Sequence, residues 1–170
     1  MHSDPIKLGI IGLGRWARVL TRAARKSRKL EIVAGYSRSE EKRDAFQDEF
    51  GIRGDPDMET LLADPEIKGV ILTVPNEQHL PVAEAVAKAG KHVYTEWPLG
   101  QTTTEAEELA SLARAMGLQT AVGLQSRVSP ALLYVKELIE SGYVGEVLSC
   151  YVTTMRDGAL ERPPDRTWQR

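Results

Sequence analysis

Close to its start the chain reads Gly12-Leu13-Gly14-Arg15-Trp16-Ala17, two glycines and a small third residue at G-x-G-x-x-A spacing. That spacing suits a turn that cradles a pyrophosphate. Gly12 permits the tight turn, Gly14 leaves out the side chain that would bar the phosphates, and Ala17 lets the following helix lie close against its strand. A helix opening at Arg15 and Trp16 would also aim first-turn N–H groups and a partial positive charge at the anion. The run is weak evidence alone, and its flanks give it meaning. Ile6 to Ile11 reads as a buried strand. From Arg15 to Arg28 the residues Trp16, Val19, Leu20 and Ala23 fall on one helical face, and Arg15, Arg18, Arg22 and Arg25 on the other. The basic face is also what the wet side of an ordinary helix looks like.

A second chemically informative place lies about 20 residues further on, where an acid at the end of the next strand usually takes the ribose hydroxyls of NAD. No acid stands there. The strand Leu30 to Tyr36 runs into Ser37, Arg38 and Ser39, with Lys42 close behind. Hydroxyls and cations in that place suit the 2′-phosphate of NADP better than the bare hydroxyls of NAD. Two like charges ~4 Å apart cost on the order of 4 kcal/mol at an effective dielectric of 20, close to a thousandfold in affinity, so an acid at Ser37 would reverse the preference. Arg38 can add a charge-assisted contact worth about 1.5 to 3 kcal/mol and can stack on the adenine; its plainer role is a solvated arginine at the start of a helix.

Composition narrows the rest. A formal net charge of -2 over 170 residues leaves no overall positive field for nucleic acid. Cys150 is the single cysteine, which excludes an internal disulfide, and with His2, His79 and His92 it makes no zinc-ligand spacing. A reducing cytoplasm is the simplest expected home. No apolar run approaches the 18 or so residues of a membrane span, and the first residues lack a signal-peptide layout.

The elements that must position these groups alternate as strand and helix. A charged helix is expected over about Ser39 to Phe50, a short strand near Ile52, and a small helix around Met58 to Ala63. Val70 to Val74 is a fully apolar strand ended by Pro75-Asn76. The helix carrying Leu80, Val82, Ala83, Val86 and Ala87 stops at Gly90. Strands His92 to Thr95 and Leu118 to Leu124 enclose a helix over Thr104 to Met116. Ser129-Pro130 starts a last helix ending near Gly142. Glu146 to Met155 alternates like a strand of a new sheet, and the tail from Arg156 reads as loop. The expectation is an α/β Rossmann-type, doubly wound, mostly parallel sheet over 1–125. Residues 126–170 would hold a crossing helix and the first strand of an incomplete α+β substrate domain.

With these elements placed, the chain resembles the Gfo/Idh/MocA family of oxidoreductases. The resemblance is carried by Leu8-Gly9-Ile10-Ile11-Gly12-Leu13-Gly14, by Thr73-Val74-Pro75-Asn76 with His79, and by the run Gly90 to Leu99, which includes Lys91-His92 and Glu96-Trp97-Pro98. Gln125-Ser126-Arg127 with Pro130, and Gly142 to Val147, extend it. The likeness implies that Thr73, Pro75, Asn76 and His79 line the coenzyme cleft. It also implies that Glu96 faces the nicotinamide ribose, that Gln125 and Arg127 border the reactive ring, and that the substrate is sugar- or polyol-like. Trp97 departs from the pattern: family enzymes carry a lysine there that works with the substrate hydroxyl and its proton. An indole can stack on a ligand but has no group that titrates near neutral pH. Family members are also longer, with further catalytic groups in the part absent here. The chain alone is expected to bind without turning over, and a homo-oligomer through the second sheet is one assembly it allows. Together Glu96-Trp97-Pro98-Leu99-Gly100, Leu124-Gln125-Ser126-Arg127 with Ser129-Pro130, Lys136-Glu137-Leu138-Ile139 and Glu161-Arg162-Pro163 look most like a subgroup that includes a fungal galactose-pathway repressor, so a non-catalytic dinucleotide sensor is the alternative expectation.

Overall fold

The computed structural model describes residues 4–153. Among them the chain forms strands β1 (Ile6–Ile11), β2 (Leu30–Tyr36), β3 (Arg53–Asp55), β4 (Gly69–Leu72), β5 (His92–Glu96) and β6 (Thr120–Gly123). Between and after them run helices α1 (Arg15–Ala24), α2 (Glu40–Phe50), α3 (Met58–Ala63), α4 (His79–Lys88), α5 (Thr103–Ala115) and α6 (Pro130–Glu140). The chain divides into two compact units that part after Gly123.

In the first unit all six strands join one sheet in the order β3-β2-β1-β4-β5-β6, and every ladder is parallel. Such a sheet must bury both faces, because its crossover helices cover them. Period-two alternation sorts the side chains accordingly. Ile10 and Ile71 join Leu13, Ala17, Phe46 and Phe50 in a core under α1 and α2. Their neighbours Ile11, Val70 and Leu72 turn to the opposite side and pack with Leu61, Ala83 and Val86 from α3 and α4. The chain leaves β1 towards β2 and returns on the far side to β4, so the crossovers diverge between β1 and β4. That divergence opens a crevice at the carboxyl ends of the two strands, the usual ligand position in such sheets.

Local chemistry sets the ends. Ser39 caps α2 by accepting the Lys42 N–H at 3.2 Å, and Asp57 and Thr102 cap α3 and α5 in the same manner. Glycines at positive φ, among them Gly51, Gly90 and Gly117, follow the helix ends.

Three sequence expectations need correction. First, α1 ends at Ala24, not Arg28, because Arg25-Lys26-Ser27-Arg28 offers no apolar residue to bury. Second, its basic face is not simply solvated: Glu49 of α2 pairs with Arg18 and, at 2.6 Å, with Arg22, while Arg25 donates to the Phe50 carbonyl and lies over the Phe50 ring. Third, no strand forms over 146–153. Alternation supplies one usable face, but a strand also needs a neighbouring backbone to bond, and no segment among the described residues offers one. The rest of that expected strand, and the tail from Arg156, lie outside the described residues.

Candidate dinucleotide site

At the end of β1, Gly12 has a φ of 95°, a left-handed conformation that favours glycine. A Cβ there would also lie 2.7 Å from the Thr73 carbonyl oxygen. Gly12 is therefore required twice, by dihedral and by space. Gly14 is different: a Cβ there would project into open space, so its bare surface is a cradle and not a packing necessity. The turn leads straight into α1, whose first residues are Arg15 and Trp16, with Arg15 exposed and Ala17 fully buried. The Trp16 indole N–H is buried without a hydrogen-bond partner. An open glycine surface at a helix start fits a pyrophosphate.

At the end of β2, Ser37 and Arg38 follow Tyr36 into the turn, with Arg38 and Lys42 exposed. The Ser37 hydroxyl accepts the Ser39 N–H at 3.4 Å, and the Arg43 guanidinium donates to the Ser37 carbonyl at 2.6 Å. Sequence reasoning missed Arg43. It lies one turn beyond the Ser39 cap, so the helix phase brings it, and not Lys42, back over the turn.

The ends of β4 and β5 form the other side of the crevice. Thr73 donates its hydroxyl to the Gly12 carbonyl and its N–H to the Ile11 carbonyl, tying this turn to the glycine turn. Pro75 and Asn76 are exposed and begin a short 3-10 turn into α4. His79 behaves otherwise: only 1% of it is exposed, and its ring nitrogens lie 2.8 Å from the Pro98 carbonyl and 3.1 Å from the Val74 carbonyl. It holds the turns after β4 and β5 together from behind the crevice. His92 has a structural task as well, since its Nδ1 accepts the Gln119 N–H at 3.2 Å.

On β5, Glu96 is half-buried, and the Tyr94 hydroxyl donates to its Oε1 at 3.1 Å. Burial first, and the Glu96 charge second, push the Tyr94 phenol up to about 12. Trp97 follows with 66% of its surface exposed, unlike its buried strand neighbours Val93 and Thr95. Gln125 belongs to the second unit, in a 3-10 turn over Gln125–Val128 that sequence reasoning did not foresee. Among the described residues no cluster of His, Cys, Asp or Glu could hold a metal ion, and no helix is long and apolar enough to cross a membrane. A cavity of about 480 Å³ lies at the opposite rim of the sheet, between the end of α1 and Phe50-Gly51-Ile52. Of the two arginines that line it, Arg25 is already engaged with Phe50, and the glycine turn lies at the other, carboxyl rim.

A parallel, doubly wound sheet with a glycine cradle at its first crossover defines a nicotinamide-dinucleotide-binding Rossmann domain. Comparison with known proteins agrees: residues 6–124 match the Gfo/Idh/MocA model, described as an oxidoreductase family with an NAD-binding Rossmann fold, and the chain belongs to that family. It is 33% identical over 175 residues to the dehydrogenase aclE of Aspergillus oryzae, covering 96% of this chain and 48% of that protein. It is 30% identical over 145 residues to a 1,5-anhydro-D-fructose reductase of Ensifer adhaerens, covering 85% and 44%. Among solved structures, a proposed NADPH-dependent oxidoreductase from Desulfitobacterium hafniense superposes with a TM-score of 0.82 at 40% identity, covering 85% of this chain and 42% of that one. The chain thus spans a little under half the length of these relatives. They are oxidoreductases, and they lend the repressor-like alternative no support.

Proposed function

We propose that this chain supplies the coenzyme-holding part of an NADP-dependent oxidoreductase acting on a hydroxyl-bearing carbon of a sugar- or polyol-like substrate. The observation that carries the coenzyme preference is the end of β2, where Ser37, Arg38 and Ser39 follow Tyr36 and no carboxylate comes before Glu40, with Lys42 in the first turn of α2 beyond. In this reading Gly12, Gly14, Arg15 and Trp16 hold the pyrophosphate. Ser37, Arg38 and Lys42 take the 2′-phosphate, with Arg43 fixing the turn that presents them. Thr73, Pro75 and Asn76 form the rim, which His79 braces, and Glu96 accepts hydroxyls of the nicotinamide-side ribose. The bound coenzyme supplies the hydride acceptor or donor. Trp97 offers the substrate an exposed apolar face but no group that titrates near neutral pH, so proton transfer to or from the substrate oxygen falls to another group. The sugar-like substrate class is supported by the name of the Ensifer relative.

Calorimetric titration with NADP and with NAD tests the preference. Arg38→Ala should weaken NADP by about tenfold to a hundredfold and leave NAD nearly unchanged, from the worth of one charge-assisted contact. Equal losses for both coenzymes would remove Arg38 from the phosphate pocket. Hydride transfer is tested on a chain of the relatives' length, by NADPH formation across a panel of sugars and polyols.

A further inference from the structure

We infer that Tyr94 and Gly123 are positioning residues which seat the Glu96 carboxylate for the coenzyme. The inference rests on the placement of Glu96 beside the nicotinamide-side ribose proposed above. Tyr94 and Glu96 are two residues apart on β5, so both side chains stand on one face of the sheet. The Tyr94 hydroxyl fixes one carboxylate oxygen at 3.1 Å. The other restraint comes from the neighbouring strand, where Gly123 of β6 is the direct cross-strand partner of Glu96. A Cβ on Gly123 would stand 2.5 Å from Oε1 and 2.7 Å from both Cδ and Oε2 of Glu96. The carboxylate therefore lies flat against the bare α-carbon of position 123.

The backbone does not ask for glycine here, because Gly123 is not among the glycines at positive φ. Space for the carboxylate is the requirement. The atoms in the way belong to the end of a flexible side chain, so an alanine would be accommodated by moving the carboxylate and not by opening the sheet. That separates a seat for a functional group from ordinary core packing. A carboxylate held from two sides loses less entropy when it binds a ligand.

The test compares two ligands on the full chain: NADPH, which carries the nicotinamide ribose, and adenosine 2′,5′-bisphosphate, which lacks it. Gly123→Ala and Tyr94→Phe should each weaken NADPH by about tenfold, the scale of one lost contact to a charged group, while the bisphosphate binds as before. In a Glu96→Gln background the same two changes should do much less, because they act through that carboxylate. NADPH affinities that stay within about twofold in both variants would overturn the inference, and so would an equal loss for the two ligands. If the unaltered chain binds the bisphosphate but holds NADPH no more tightly, the seat serves no coenzyme and the inference also falls. A chain that binds neither ligand refutes the coenzyme assignment itself, which is a different outcome.

Discussion

Tyr94 is raised to about 12 by burial and then by the adjacent Glu96 charge, so its neutral phenol is the form the fold prefers. An acid whose folded value lies above its ordinary one contributes stability that is complete below the ordinary value of 10.0 and lost as pH rises towards 12. Subtracting the ultraviolet titration of Tyr94→Phe from that of the unaltered chain should isolate a phenolate signal with its midpoint near 12. A midpoint at the ordinary value would mean that the phenol is neither buried nor beside the Glu96 charge. At this scale the glycine turn and the acid-free end of β2 could be read from residue types, because their chemistry is local. The seat of Glu96 could not. It joins Tyr94 to a residue on β6, and only strand order and register bring Gly123 opposite. Arg43 escaped for a related reason, since adjacent basic residues look alike until the Ser39 cap sets the helix phase.

Among the elements, the crossover into β4 and the start of β5 are joined by Lys91, which is buried and donates to the carbonyls of Asp64 at 2.7 Å and Ile67 at 2.8 Å. Burial, its largest influence, lowers the lysine below its ordinary value. Lys91→Met would keep the apolar stem and take the ammonium from both carbonyls, leaving that of Asp64 with only the Ile67 N–H at 3.3 Å. The expected cost is about 2 kcal/mol, seen as a lower urea midpoint with an unchanged slope. An unmoved midpoint would show that water replaces the ammonium at no cost. The elements themselves were legible wherever apolar periodicity was long. All six parallel strands, and every helix of the sheet layer, lie within a few residues of their expected places. Residues 146–153 show the limit of that signal: alternating side chains prescribe which way a strand would face but not whether another backbone is there to receive it.

For the molecule as a whole, binding that favours the folded state must raise its melting temperature. Coenzyme at a hundred times its Kd stabilises by about 2.7 kcal/mol, and in a chain of this size each kcal/mol moves the transition by roughly 2–4 °C. Scanning calorimetry with saturating NADP should therefore show an upward shift on the order of 5–10 °C. No shift with either nucleotide would deny the sheet its ligand. What the second unit contributes could not be read from periodicity, because its expected strand found no partner backbone among the described residues and the chain covers 48% or less of the relatives named above. The histidine behind the crevice sets a different kind of constraint. One ring spans the carbonyls of Val74 and Pro98, so both turns are measured against the same small gauge. Lengthening either by a single residue would put the other out of true, and the chain beyond them is fixed in turn, because Thr102 caps α5 and the Gln101 N–H donates to Glu105 at 2.7 Å.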